Sequence, residues 1–128
     1  MEYVEFTGSP NLQSPIMLIA FAGWPDAAEG ATEALKYLTR KLPAHKFASI
    51  DPEEFYVFTE NRPVTRVNFR GERDITWPVN DFYAYRSADH KQDLLIFVGT
   101  EPNLKWRTFS RILADIADDY DVNKVIML

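Results

Sequence analysis

The 128-residue sequence contains no cysteine. Disulfides, thiolate zinc sites and cysteine nucleophiles are thereby excluded from this stretch. Histidine is nearly as scarce. His45 and His90 are the only two, they lie far apart, and neither has metal-ligand spacing. Each reads as a surface or strand-edge residue, and no metal or cofactor is expected. Glycine is limited to five residues, and Gly23 and Gly30 are followed by no Gly-Lys-Ser/Thr. No G-x-G-x-x-G stands behind a strand-like run and no G-x-S-x-G elbow occurs, so phosphate-loop binding and α/β-hydrolase chemistry find no support. Positive charge is in deficit: 14 Lys and Arg face 19 Asp and Glu, a net charge of −5, with a pI of about 5.0. Such a chain lacks the basic field that drives non-specific nucleic-acid binding, and it lacks a polybasic membrane patch. The longest strongly apolar run, Ile16 to Trp24, falls well short of the roughly 20 residues a membrane-spanning helix needs. The opening MEYVEF carries Glu2 and Glu5 with no basic flank, unlike a secretory signal. A soluble, cytoplasmic protein with no membrane partner and no nucleic-acid partner is expected.

What is present is a globular composition. Apolar residues make up 46% and aromatics 14%, enough for one core, and the length suits one domain of roughly 100–150 residues. Ile16 to Ala22 and Leu94 to Val98 are continuous apolar runs of strand length, read as buried strands. Gly23-Trp24-Pro25 breaks the first. Asp26 then offers a helix cap, with Glu29 at capping-box spacing. The helix should run from about Ala27 to Leu42, with Ala31, Ala34, Leu35, Leu38 and Leu42 on its apolar stripe and Arg40 and Lys41 in its last turn. Pro43 ends it. Tyr3 to Phe6 reads as a short edge strand and His45 to Ile50 as another strand. Asp51-Pro52-Glu53-Glu54 has room for only a turn or two of helix. Val64 to Phe69 and Asp74 to Trp77 suggest a hairpin around a two-residue Gly71-Glu72 turn, and Phe82 to Arg86 a third antiparallel strand beside it. A second helix is expected from about Leu104 to Tyr120, burying Phe109, Ile112, Leu113, Ile116 and Tyr120. The terminal KVIML reads as a strand buried on both faces. Because chains seldom stop inside such a strand, residues 1–128 are expected to be a single α/β domain or the N-terminal part of one in a longer chain. Buried strands alternating with amphipathic helices predict an α/β fold with a mainly parallel central sheet flanked by helices, plus an inserted antiparallel hairpin.

Open α/β sheets bind ligands beyond the carboxyl ends of their strands. Two loops qualify, 22–29 and 99–107. If their strands are parallel neighbours, Trp24, Asp26 and Glu29 approach Glu101, Trp106 and Arg107, making a pocket or a docking surface. The structural alternatives are plain: Asp26 and Glu29 as helix caps, Glu101 as a helix-start group or partner of Lys105, Trp106 as core or lid, Arg107 as a surface ion pair. Nothing in the sequence separates the pKa values of these carboxylates, as acid–base catalysis would require. Arg62, Arg66, Arg70 and Arg73 form the densest basic segment, which reads more simply as a solvated hairpin face paired with Glu60, Glu72 and Asp74 than as an anion, RNA or acidic-partner patch. Asp115, Asp118, Asp119 and Asp121 do not match a calcium loop.

Four strings, AFAGWPDAAEGATEAL, IDPEEFYVFTENRP, ITWPVNDFYAYR and VGTEPNLKWRTF, occur in this order and spacing. Together they resemble the proteasome assembly chaperone 2 family, most of all its bacterial branch, from about Ile16 to Leu128. The resemblance implies an α/β sandwich of nucleoside-phosphorylase-like architecture and a full-length chain about twice as long as this one. It implies a non-enzymatic protein-binding or assembly factor that forms homo-oligomers around a possible protein client, with no catalytic residues to carry over. Trp24, Asp26, Arg62, Pro63, Trp77, Glu101, Trp106 and Arg107 fall on the recurring strings and become candidates for a shared surface. The alternative is a small-molecule protein or enzyme handling a nucleotide or nucleoside at the strand-end rim.

Overall fold

A computed structural model describes residues 1–22, 30–57, 64–67, 70–71, 73–76, 78–89 and 91–128. In chain order the elements are β1 (Val4–Phe6), β2 (Ile16–Ala22), α1 (Gly30–Lys41), β3 (His45–Ile50), β4 (Val64–Val67), β5 (Arg73–Thr76), β6 (Asp81–Tyr85), β7 (Leu94–Thr100), α2 (Trp106–Asp119) and β8 (Lys124–Met127).

The α/β class is as expected, but the sheet is not mainly parallel. Six strands lie in the order β1-β3-β6-β7-β2-β8. Only β7/β2 and β2/β8 pair in parallel. The junctions β1/β3, β3/β6 and β6/β7 are antiparallel. The error has a definite source. Phe82–Arg86, expected as a third antiparallel strand following the hairpin, is antiparallel, but as β6 it sits inside the main sheet between β3 and β7. Its burial alternates along the strand, the pattern of a strand with one core-facing side, and periodicity alone does not say which strand lies alongside. This mixed sheet with two helices does not by itself distinguish a nucleoside-phosphorylase-like architecture.

The inserted hairpin is present as a separate two-stranded sheet, β4 against β5. Its register pairs Val67 with Arg73 and Val64 with Thr76. That register is centred on Arg70, so the connection is not a two-residue Gly71-Glu72 turn. Gly71 does take φ +79°, a conformation that suits glycine.

β7 is buried along nearly its whole length, because the two helices cover its opposite faces. Leu95 and Phe97 join Phe109, Ile112 and Ile116 of α2 on one side. Ile96 and Val98 join Leu35 of α1, with Ala31 and Leu38, on the other. The α2 stripe is the expected one. On α1 the stripe is rotated slightly: Thr32 is buried and Ala34 is exposed. The start expected for α1 at Ala27, with the Asp26 and Glu29 caps, lies outside the described residues.

KVIML does form a strand, but it is not buried on both faces. β8 pairs only with β2, at the sheet edge. Val125 and Met127 are 50% and 66% exposed, and no β8 residue enters either core cluster. Apolar composition signalled a strand correctly. Burial depends on neighbours, and none of the described elements covers this one.

Candidate functional site

Strand register fixes which residues share the rim beyond the carboxyl ends of β2 and β7. Ala22 pairs with Thr100, and the Glu101 amide donates to the Ala22 carbonyl at 3.2 Å. Asp81 lies opposite Val98, Ser49 opposite Asp81, and Val4 opposite Ile50. The entry to β6, the exit from β3 and the start of β1 therefore stand on this same rim.

The loop between β7 and α2 and the first turn of α2 carry three of the seven candidate residues. Glu101 is half-buried, while Trp106 and Arg107 are exposed on the first turn of α2. Trp106 is 48% exposed and Leu104 beside it 47%, and Val79 across the rim is 45% exposed. Trp24, Asp26, Glu29 and Arg62 lie outside the described residues, as do Pro63 and Trp77. Lys105 does not pair with Glu101. Its Nζ sits 3.0 Å from Glu54 Oε2 and 5.3 Å above the Tyr3 ring. Lys105 itself adopts φ 55°, so the chain turns sharply into α2 and Trp106 starts the helix instead of Leu104.

A polar network not read from the sequence holds this loop in place. Asn80, 1% exposed, donates from Nδ2 to the Tyr56 hydroxyl at 2.6 Å. Tyr56 donates to the Thr100 carbonyl at 2.5 Å, and the Thr100 amide donates to Asn80 Oδ1 at 3.0 Å. The ring of three bonds closes on itself, leaving these buried groups satisfied. Burial pushes the Tyr56 phenol up to about 12, against the opposing hydrogen bond from Asn80. A second set of bonds ties the neighbouring loop to it. The amides of Asn103 and Leu104 donate to the Phe55 carbonyl at 2.8 and 3.0 Å, and the Val57 amide donates to Asn103 Oδ1 at 2.9 Å. Gly99 is what admits Asn80. A Cβ at position 99 would lie 2.7 Å from Asn80 Oδ1 and 2.5 Å from the Phe97 ring. A glycine inside an apolar strand was the available signal for such a close approach; nothing marked Asn80 or Tyr56 as its partners.

Beside this network the rim opens into a cavity of about 620 Å³ whose wall includes Glu5, Asp51 and Asp81 but, among the described residues, no Lys or Arg. Burial raises the Asp81 carboxyl above its ordinary value, and Lys46 partly offsets this. Among the described residues no group of three or more potential metal-binding side chains occurs, and no helix is long and apolar enough to cross a membrane.

The profile of the PAC2 family matches residues 20–128. This chain belongs to the PAC2 family. Its fold is similar to that of a PAC2 family protein from Streptomyces avermitilis, at 36% identity and a TM-score of 0.77, over 88% of this chain and 48% of that one. It is likewise similar to a Mycobacterium tuberculosis proteasome-assembly chaperone homologue, at 32% identity and a TM-score of 0.77, again over 88% and 48% of the two chains. An archaeal proteasome activator from Pyrococcus furiosus shares the fold at 18% identity and a TM-score of 0.68, over 97% of this chain and 49% of that one. This chain thus spans about half the length of the solved structures it matches. No curated protein matches its sequence.

Proposed function

We infer that this PAC2 family chain is part of a non-enzymatic, cytoplasmic protein-binding factor, a homo-oligomer whose strand-end rim contacts a protein client. The observation that carries the reading is the character of the rim. Leu104, Trp106 and Val79 stand exposed there, beside Arg107, on loops tied down by buried hydrogen bonds. Aromatic and Arg side chains on a rigid support are the usual anchors of protein interfaces. Relationship to a proteasome-assembly chaperone homologue supports the same direction. The test is affinity capture from native lysate with the full-length protein, followed by mass spectrometry, alongside a Trp106→Ser, Leu104→Ser variant. A stoichiometric protein partner lost in the variant is the expected result. Strictly monomeric behaviour with no partner, or capture indifferent to the variant, overturns it.

A second reading rests on the rim cavity. Its volume is in the usual range for small-molecule sites, but a wall whose described residues include three carboxylates and no Lys or Arg disfavours phosphate. A nucleoside therefore fits it better than a nucleotide. This reading predicts a rise in melting temperature with nucleosides, lost in Asp81→Asn; no shift across a nucleoside panel discards it.

A further inference from the structure

The opposite ends of β3 and β6 carry a second cavity, of about 590 Å³. One wall is the loop of residues 7–12. Its floor is apolar: Phe47 and Ala84 belong to the buried core, and Leu12 packs against it. Its basic wall is formed by Lys46 at the start of β3 and Arg86 just after β6, with His45 beside Lys46, all three exposed. Among the described residues no Asp or Glu lines it, although acidic residues outnumber basic ones 19 to 14 in the whole chain. The ion pairs among the described residues engage Lys36, Lys91 and Lys105, none of which borders this groove. Lys46 is electrostatically coupled to Asp81, at the other end of β6.

The backbone of the wall is firmly set. The amides of Thr7 and Gly8 both donate to the Phe47 carbonyl, at 2.8 and 3.2 Å, so the loop is fastened to β3. The α2 end that carries Asp118, Asp119 and Asp121 packs behind this floor through Tyr120, whose ring centroid is 5.3 Å from that of Phe47. None of those aspartates lines the groove.

We propose that this groove binds an acidic peptide segment of a partner protein. Carboxylates of the segment face Arg86 and Lys46, with His45 offering a ring N–H, and an apolar side chain rests on Leu12, Phe47 and Ala84. The apolar floor is the reason to choose a peptide over a simple anion, since phosphate gains nothing from it, while a peptide mixing Glu and Leu uses both walls. The groove and the strand-end rim stand at opposite ends of the sheet, so variants in one leave the other intact.

The test is a fluorescence-anisotropy titration of the protein with a labelled short peptide alternating Glu and Leu. A Lys/Leu peptide and inorganic phosphate serve as the comparison probes. Saturable binding of the acidic peptide is expected, weakened by added salt. Arg86→Glu should weaken binding by about tenfold or more, because it puts a like charge in the groove. Arg86→Lys should retain most of the affinity, and His45→Glu should act in the same direction as Arg86→Glu. Far-UV circular dichroism of each variant confirms that the fold is kept, as the exposure of both residues leads one to expect. Absence of saturable binding by the acidic peptide overturns the proposal. So does equal binding by Arg86→Glu in a folded state, or displacement of the peptide by phosphate at comparable concentration.

Discussion

In the half of the sheet built from β7, β2 and β8, neighbouring strands run parallel, and helices clamp β7 from both faces. In the half built from β1, β3 and β6 every junction is antiparallel. There the register sets Glu5, Ser49 and Asp81 in one cross-strand row, and each end opens into a cavity. Carboxylates line one cavity and cations the other. A strand covered on both faces spends nearly all its side chains on packing, whereas an antiparallel strand with one covered face leaves alternate residues for polar work. The candidate chemistry of this chain accordingly gathers on the antiparallel half and on the loops that join the two halves.

The largest expected effect comes from the seam. Phe97 on β7 is fully buried, and its ring lies 4.6 Å from that of Phe82 on β6 and 6.3 Å from that of Phe109 on α2. Phe97→Ala should cost about 3–5 kcal/mol, the usual range for a core aromatic. Urea unfolding measures it. A loss below about 1 kcal/mol would mean that the halves are not joined through this core.

Next comes Gly99, where a new methyl meets the Phe97 ring and the Asn80 side chain at 2.5 and 2.7 Å. Gly99→Ala should cost about 1–3 kcal/mol, as overpacking does. Gly30→Ala is the control, because nothing lies within 4 Å of a Cβ placed there; its melting temperature should not fall. Equal effects at the two glycines would break the claim that β7 and the Asn80 loop are in close register. Asn80→Ala follows, at about 1–3 kcal/mol, since it strands the half-buried Thr100 amide without an acceptor. Thermal unfolding of Asn80→Ala beside Arg86→Glu sharpens the contrast: the first should lower the midpoint and the second leave it unmoved.

How much of this was legible in the sequence follows the same division. Ile16–Ala22 and Leu94–Val98 announced themselves as buried strands, and Phe109, Ile112 and Ile116 as a helix stripe, because burial on two faces or one helical face writes a strong periodic signal. β6 reads from the sequence as an antiparallel strand, which it is, but not as a member of the main sheet, since DFYAY encodes alternation and not its neighbours. KVIML was recognised as a strand and misread as covered for the same reason. Of the candidate site, the meeting of the β2 and β7 ends at Ala22 and Thr100 followed from parallel pairing, and Trp106 and Arg107 do stand at that rim. The Asn80–Tyr56–Thr100 ring spans residues 20 and more apart in sequence, so no local pattern encodes it. The basic groove likewise joins residues 45–46 to 86 across a strand pair whose existence depended on placing β6.

Tyr56→Phe gives the smallest effect and the most specific one. At neutral pH it removes a hydroxyl that both accepts from Asn80 and donates to Thr100, at a cost of about 1 kcal/mol. The pH dependence then reads the burial of the phenol directly. Folding raises the Tyr56 pKa from 10.0 to about 12, so between those values the unfolded chain has released a proton that the folded chain still holds. Stability must fall as pH rises through that window. The contribution is fully present below the unfolded value and is lost as pH climbs through the folded one. The wild type should therefore lose stability more steeply than Tyr56→Phe in alkaline solution, with the stability gap between them narrowing. Tyr83 and Tyr120, whose pKa values burial also raises, titrate in both proteins and cancel in the difference. Parallel alkaline profiles for the two proteins would show that the phenol is open to water, and the ring of bonds joining the two halves of the sheet would then be open as well.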